Sequence, residues 1–322
     1  MIDWCKRFKE AGFYAFTNTN YIRWWPQGVL GDQLFWQLTP TFDLLNYHTN
    51  VPKQFQEGVI SREELMHQYV CKGWKAFSEP ATRTMFEIMK DLTQYMPGGF
   101  EDEAILMASG LELFLTGKLA MYWTGSWAIG SIMQDDRRKF EFSTFWLPPV
   151  TKETTPLAHD PPILPAGVGG YGGVNYGINH KCVAKGNVEE CVDWLMYLST
   201  PEHDEMIVNE VPGFVTSNKK ARSLPEVEGM FVGETRLVGG SWAGHPWIPT
   251  MWWFGAMGSK YYNNFQREEV LYLIGDQDID TFMTNADAIG QEALPDLIRS
   301  AAIQYAEKGD WDLTRWSCTP KL

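Results

Sequence analysis

The run Leu119–Trp123, LAMYW, constrains this chain most. It is short, apolar and unbroken, too brief for a helix, and reads as a buried strand. Helical patterns flank it. Residues 101–115 place Ala104, Met107, Ala108, Leu111 and Leu115 on one side and stop at Gly117, and Ser126 is positioned to cap a helix beginning near Trp127. Short strands separated by helices specify an α/β protein, because each buried strand needs covering layers.

The same alternation continues along the chain. Residues 3–10 form a helix pattern stopped at Gly12, and Phe13–Thr17 a short strand. A loop or helix start rich in aromatics follows, with Tyr21, Trp24 and Trp25. Ser61 and Glu64 make a capping box, with Ile60 and Leu65 as a hydrophobic staple, and a further helix spans 79–95 up to Pro97-Gly98-Gly99. Residues 140–147 alternate and break at Pro148-Pro149, which predicts a second strand; 151–165 are loop, and Val174–Ile178 a strand. Asn187 caps a helix with Glu190 at its third position, and Val188, Cys191, Val192, Leu195 and Leu198 form its inner face. Thr200-Pro201-Glu202 opens another helix, and two more run over 261–274 and 279–307.

The chain's 322 residues suffice for two lobes, and its 44% hydrophobic and 21% charged residues are globular. Forty acidic against 27 basic residues argue against binding a phosphate backbone, so no nucleic-acid partner is expected. No apolar run reaches the roughly 18 residues of a spanning helix, and the N-terminus, MIDWCKRFKEAG, has no signal pattern, so the chain as written is expected to stay in the cytoplasm. Five scattered cysteines, Cys5, Cys71, Cys182, Cys191 and Cys318, predict neither a disulfide framework nor a zinc site, and Cys191 reads as a small core residue.

The catalytic signals are thin. Gly167-x-Gly169-x-x-Gly172 follows a proline-rich loop and precedes a strand, the reverse of a dinucleotide site, and fits a hinge better. Six dispersed histidines (His48, His67, His159, His180, His203, His245) leave metal catalysis without support, and His203 beside Asp204 reads as an exposed helix pair. Asp102/Glu103 and Asp278/Asp280 would serve glycoside hydrolysis only if held across a cleft; such pairs usually sit in solvent. No nucleophile elbow occurs. Neither cofactor nor metal is expected.

Aromatics are the outlier, at 14% with 15 tryptophans. They cluster at 21–25, 123–127, 242–247 and 252–253, in loops or at element ends. A pyranose offers an apolar C–H face and a hydroxyl edge; indole covers the face, while nearby carboxylates, amides and guanidinium groups bind the edge. The pattern fits a carbohydrate site.

Several segments, in order, resemble the extracellular solute-binding proteins of carbohydrate ABC importers, the family that includes maltose-binding protein. Phe114-Leu-Thr-Gly117-Lys-Leu-Ala120-Met121, then Gly125-Ser126-Trp127, looks like its F-x-x-G-x-x-A-M…G-x-W signature. Gly172-Gly173…Gly177-Ile178-Asn179 looks like its crossover return. Glu189–Glu205, containing Leu198-Ser-Thr-Pro-Glu202, resembles its A-x-x-F-L-x-x-L-x-T-P-E helix pair, Val211–Ser217 the segment after it, and Trp4–Gly12 an early second-lobe helix.

The resemblance implies a two-lobe periplasmic-binding-protein-like fold of type II with an incomplete first lobe. Residues 1–178 would be the main part of the second lobe, 179–236 a remnant of the first, and 237–322 a helical return to the second. It implies a truncated N-terminus, because the export signal and most of the first lobe would precede Trp4. The parent family is periplasmic or extracellular and lipid-anchored. The stripe on the helices after Asn187 would then lack its covering strands, which predicts aggregation or a need for a partner. By resemblance Trp127 stacks on sugar, Ser126 bonds the ligand or caps the helix, and Trp123 is core. Tyr21, Trp24 and Trp25 form an aromatic binding loop; Trp252 or Trp253, with Tyr171 and Asn175, complete the set. The implied function is non-enzymatic: binding a mono- or oligosaccharide and docking on membrane permease subunits. The alternatives are a non-sugar ligand, either a glycerophosphodiester, for which Arg23 is available, or a polyamine; or a glycoside-acting enzyme.

Overall fold

The structure, a computed structural model, describes residues 1–18, 24–35, 62–97, 110–125, 128–145, 147–162, 177–211, 216, 218, 220–229, 259–309 and 311–321, without the side chains of 18, 24–28, 32, 62, 259 and 260. Among the described residues helices dominate, with one two-stranded parallel sheet. In order they are α1 (Ile2–Glu10), β1 (Tyr14–Asn18), α2 (Trp24–Phe35), α3 (Arg62–Lys72), a 3-10 turn (Ala76–Ser78) and α4 (Pro80–Thr93). A helical segment 110–115, β2 (Leu119–Trp123) and α5 (Ala128–Gln134) follow. Then come α6 (His180–Lys185), α7 (Val188–Leu198), α8 (Pro201–Glu210), α9 (Ser259–Ile274) and α10 (Ile279–Leu297), the last running on through a π-helical stretch (Ile298–Ile303). Pro295 lies inside α10 and removes one backbone donor just before that widened turn.

The sheet forms where local stop signals turn the chain. Segment 110–115 ends at Gly117, φ +68°, whose amide donates to the Phe114 carbonyl (2.9 Å) while the Lys118 amide donates to that of Leu113 (2.8 Å). This left-handed cap delivers the chain directly into β2. β1 and β2 pair in parallel, Tyr14 opposite Leu119, Phe16 opposite Met121 and Asn18 opposite Trp123. Phe16 and Met121 enter the main core, whereas Leu119 joins a smaller one with Phe114, Leu115, Ala128 and Ile132.

The main core is tied by four phenylalanines from distant parts of the chain. Phe77 precedes α4, Phe86 is on α4, Phe265 on α9 and Phe282 on α10. Phe86 meets Phe282 edge-on at 4.8 Å, Phe77 lies 5.6 Å from Phe265, and Tyr272 stacks on Phe282 at 5.2 Å. Offset and edge-on rings of this kind contribute about 1 kcal/mol per pair beyond burial. Lys90 closes the margin, its Nζ 2.9 Å from the Tyr272 carbonyl and 4.5 Å from that ring's centroid.

One face of α3 grips the C-terminal segment. Glu63, His67 and Cys71, spaced at i, i+4 and i+8, lie on one side of the helix. Glu63 accepts from the Trp316 indole (2.9 Å) and the Asp312 amide (3.1 Å), and His67 Nε2 is 3.2 Å from the Ser317 amide and 2.9 Å from its Oγ. Cys71 is disulfide-bonded to Cys318 across 247 residues. Such a closure removes about 5 kcal/mol of denatured-chain entropy in the loop model. The sequence reading expected no disulfide framework and did not foresee this single bond: spacing carries no information on two thiols brought together from opposite ends by tertiary packing.

The described residues of 180–228 stand apart. None of them belongs to either core cluster, and α7 buries no residue. Val183 (64% exposed), Trp194 (59%) and Met196 (64%) face outward. The predicted inner face is only half-covered, and Val192 is exposed. Cys191 is likewise no core residue; it is half-buried beside Cys182. The loop 216–222 folds onto α8 through Asp204, which accepts from the Thr216 hydroxyl and the Asn218 amide. His203 and Asp204 are therefore engaged rather than an exposed pair, His203 lying 3.6 Å from the Tyr197 ring.

One further expectation changes. No ladder forms over 140–147 among the described residues, although burial alternates there as predicted. Phe140 and Phe142 are spent on the Phe114 ring, at 5.4 and 6.2 Å, and no neighbouring strand reaches this segment in the described residues. The strand over 174–178 and the Ser61 cap fall on residues largely outside those described, while α3 starts where that cap requires. Among the described residues no helix is long and apolar enough to cross a membrane.

Two measurements check this packing. A Cβ at Gly290 on α10 would meet the Tyr69 hydroxyl at 2.7 Å. Gly290→Ala is expected to cost about 1–3 kcal/mol in denaturant unfolding, and adding Tyr69→Phe to recover part of the loss. Burial, with Lys72 adding and Glu64 opposing, holds His67 below the ordinary imidazole value of 6.5. The unfolded chain then protonates first, so stability is flat above pH 6.5, falls as pH drops through the window below it, and levels off once the folded imidazole is protonated. Melting curves from pH 8 to pH 5 should show that slope, and His67→Phe should flatten it.

Candidate ligand site at the carboxyl end of the parallel strands

Open α/β folds bind ligands beyond the carboxyl ends of their parallel strands, where loops rather than ladder bonds occupy the backbone. Here the register sets Asn18, the last residue of β1, opposite Trp123, the last of β2. Both strands therefore end at the same end of the sheet. In the sequence, Tyr21, Trp24 and Trp25 follow β1, and Ser126 and Trp127 follow β2.

Of the sequence-predicted site residues, Trp24 and Trp25 open α2, which makes that segment a helix start, and their side chains lie outside the description. Tyr21, Ser126, Trp127, Tyr171, Asn175, Trp252 and Trp253 lie outside the described residues altogether. The bracketing tryptophan, Trp123, is half-buried at the core margin, tilted on Phe16 with centroids 6.2 Å apart. It forms part of the main core's wall. Tyr122, its neighbour, rests on the Phe114 ring at 6.1 Å. Burial pushes its phenol up, only partly offset by a hydrogen bond with Thr124, so the hydroxyl at the strand end is a neutral polar group.

Gln33 is the supporting residue that sequence reading missed. It is buried in α2, donates Nε2 to the Val29 carbonyl (2.9 Å), and accepts the Val150 amide (2.6 Å). It thereby pins the 147–150 segment to the helix that Trp24 and Trp25 begin. Its only sequence signal was an amide directly before the apolar pair Leu34-Phe35.

Other candidate chemistry is already committed to structure. Asp278 caps α10 by accepting the Thr281 amide (2.8 Å), which holds its carboxyl below the usual range, and Asp280 pairs with Arg83 (2.6 Å). Neither is positioned as a hydrolytic acid or nucleophile; Asp102 and Glu103 lie outside the described residues. A groove of about 330 Å³ between α4 and α10 takes in Phe77, Arg83, Met283 and Asp287. Asp287 there accepts from the Ser78 hydroxyl (2.7 Å) and the Phe77 amide (3.3 Å), so it closes the 3-10 turn. At the far end of α5, Arg137 holds the Asp135 carboxyl at about 2 and also pairs with Glu112, fastening segment 110–115 to the turn after that helix. No group of three or more His, Cys, Asp or Glu side chains suited to a metal occurs among the described residues.

The wall assignment is measurable. Trp123→Ala should lower unfolding stability by about 2 kcal/mol, a half-buried indole costing less than a core one, while Trp123→Phe should retain most of the Phe16 contact. Denaturant titration of both variants provides the check.

No protein-family model, no curated protein and no solved structure matches this chain.

Proposed function

We propose that this chain is the substrate-binding component of a carbohydrate ABC importer, holding a mono- or oligosaccharide between two lobes by aromatic stacking and hydrogen bonds. The observation that supports the reading is the parallel pairing of β1 with β2, whose carboxyl ends are followed in the sequence by the Tyr21–Trp25 and Ser126–Trp127 segments. The saccharide's apolar face lies on indole, and its hydroxyls bond to neighbouring polar groups. The two-lobe architecture of type II is part of the proposal. It is supported by a main core built from both ends of the chain, Cys5 to Ala158 and Tyr261 to Trp316, that excludes residues 180–228. Ligand favours the closed arrangement by touching both lobes at once, and the closed form then docks on permease subunits. No covalent chemistry is involved.

Titration with a panel of mono- and oligosaccharides, followed by tryptophan fluorescence and by melting temperature, tests this. A saccharide that quenches emission and raises the melting temperature is expected, with Trp127→Ala weakening its binding at least tenfold, about 1.4 kcal/mol. Release of shorter sugars would make the protein an enzyme. A response confined to glycerophosphodiesters or polyamines would move the ligand class, and no response to any saccharide would overturn the reading.

A further inference from the structure

Helices α6 and α7 meet at two thiols. Cys182 lies in α6 and Cys191 in the first turn of α7, and their sulfurs are 2.7 Å apart. That is well inside the about 3.5–4 Å at which unbonded heavy atoms rest, and short of the about 2.05 Å of a disulfide. Both are reduced and half-buried, open to a small reagent, whereas Cys5 is fully buried and Cys71 and Cys318 are bonded to each other.

The frame that holds the sulfurs is backbone. Gly186, at φ +72°, ends α6 with its amide on the Val183 carbonyl (3.1 Å). The Asn187 amide donates to the Cys182 carbonyl (3.2 Å), and the Asn187 carbonyl accepts the Cys191 amide (3.2 Å). One residue of the turn therefore anchors both cysteines, and the thiols meet as a consequence of the helix–turn–helix geometry. The surrounding unit, 180–228, has no share in either core. A covalent staple is what a segment with little buried surface lacks.

We propose that Cys182 and Cys191 form a reversible dithiol–disulfide site whose oxidant is a small-molecule disulfide of the glutathione class. Cys182 Sγ loses its proton to solvent and attacks one sulfur of the oxidant. The oxidant's S–S bond breaks, and one small thiol leaves and is protonated. Cys191 Sγ then gives up its proton and attacks Cys182 Sγ, forming the protein disulfide and releasing the second small thiol. Two electrons pass from the two protein thiols to the small disulfide, which becomes two thiols. The order follows from the hydrogen bond: the Cys191 thiol donates to the Cys182 sulfur, which raises the Cys191 pKa and delays its own ionisation. The site is independent of the saccharide reading.

The test uses the full chain equilibrated in glutathione buffers from reducing to oxidising, alkylated in denaturant and digested with trypsin without reduction. Cleavage after Lys181, Lys185 and Lys219 puts the two cysteines on separate peptides, 182–185 and 186–219. The expected result is a disulfide-linked pair of these peptides that grows with oxidant and is lost on returning to reduced glutathione, while Cys5 stays alkylated throughout. Cys182 and Cys191 both alkylated at every poise, or both recovered as separate glutathione adducts, overturns the proposal. Cys191→Ser should trap a glutathione adduct on Cys182; an unmodified Cys182 in that variant overturns its assignment as the attacking sulfur.

Discussion

The contact of Phe86 with Phe282 is the interaction on which the remaining packing depends. Their rings meet edge-on at 4.8 Å, and Phe77, Phe265 and Tyr272 surround them. Every ring in this knot comes either from residues 77–86 or from α9 and α10, so it can form only when the ends of a long chain are brought together. Once formed, it places α10 against α4 and the 3-10 turn. Polar groups at its edge follow from that placement. Asp287 reaches the Ser78 hydroxyl, Arg83 reaches Asp280, and Lys90 reaches the Tyr272 carbonyl.

The grip of α3 on the C-terminal segment belongs to the same closure. Glu63 is buried, as are His67 and Trp316, and a buried carboxylate is tolerable only because the Trp316 indole and the Asp312 amide both donate to it. The disulfide between Cys71 and Cys318 makes the association covalent. His67 Nε2, lying against the Ser317 amide, is assigned as an acceptor, so the proton of the neutral ring is on Nδ1, which has no hydrogen-bond partner among the described residues. Protonating this ring would remove the acceptor from the tail contact. The grip is thus the part of the core most exposed to changes in pH and redox state, whereas the four phenylalanines carry no titratable group and burial pushes the Tyr272 phenol up to about 12.

Residues 180–228 follow a different physics. Their helices are well specified locally: Asn179 caps α6 by accepting the Lys181 amide (2.9 Å), Thr200 caps α8, and Pro201 occupies its first turn. Yet Trp194, Met196 and Tyr197 remain exposed, and the unit buries little beyond Val208, Ala221 and Val227. Local propensity suffices to form such helices in a folded context, but an apolar face is stabilised only by what covers it. The paired thiols at the α6–α7 turn add a link that does not depend on a core.

Much of the secondary structure was legible because its signals are local. The helix ended by Gly12, the strands at Tyr14–Asn18 and Leu119–Trp123, and the helix start at Thr200-Pro201 involve neighbours a few residues apart. The alternating run over 140–147 shows the limit: period two describes which side chains are covered, and a strand needs a ladder partner that no local pattern supplies. Of the candidate site, the sequence determined which segments carry the tryptophans, while only the tertiary structure decided that the strands preceding two of those segments in the chain are adjacent and parallel. The Cys71–Cys318 bond, the α3 grip and the meeting of Phe86 with Phe282 were likewise decided by packing across some 200 residues or more, because the free energy of such a contact depends on a closed chain that no single segment encodes.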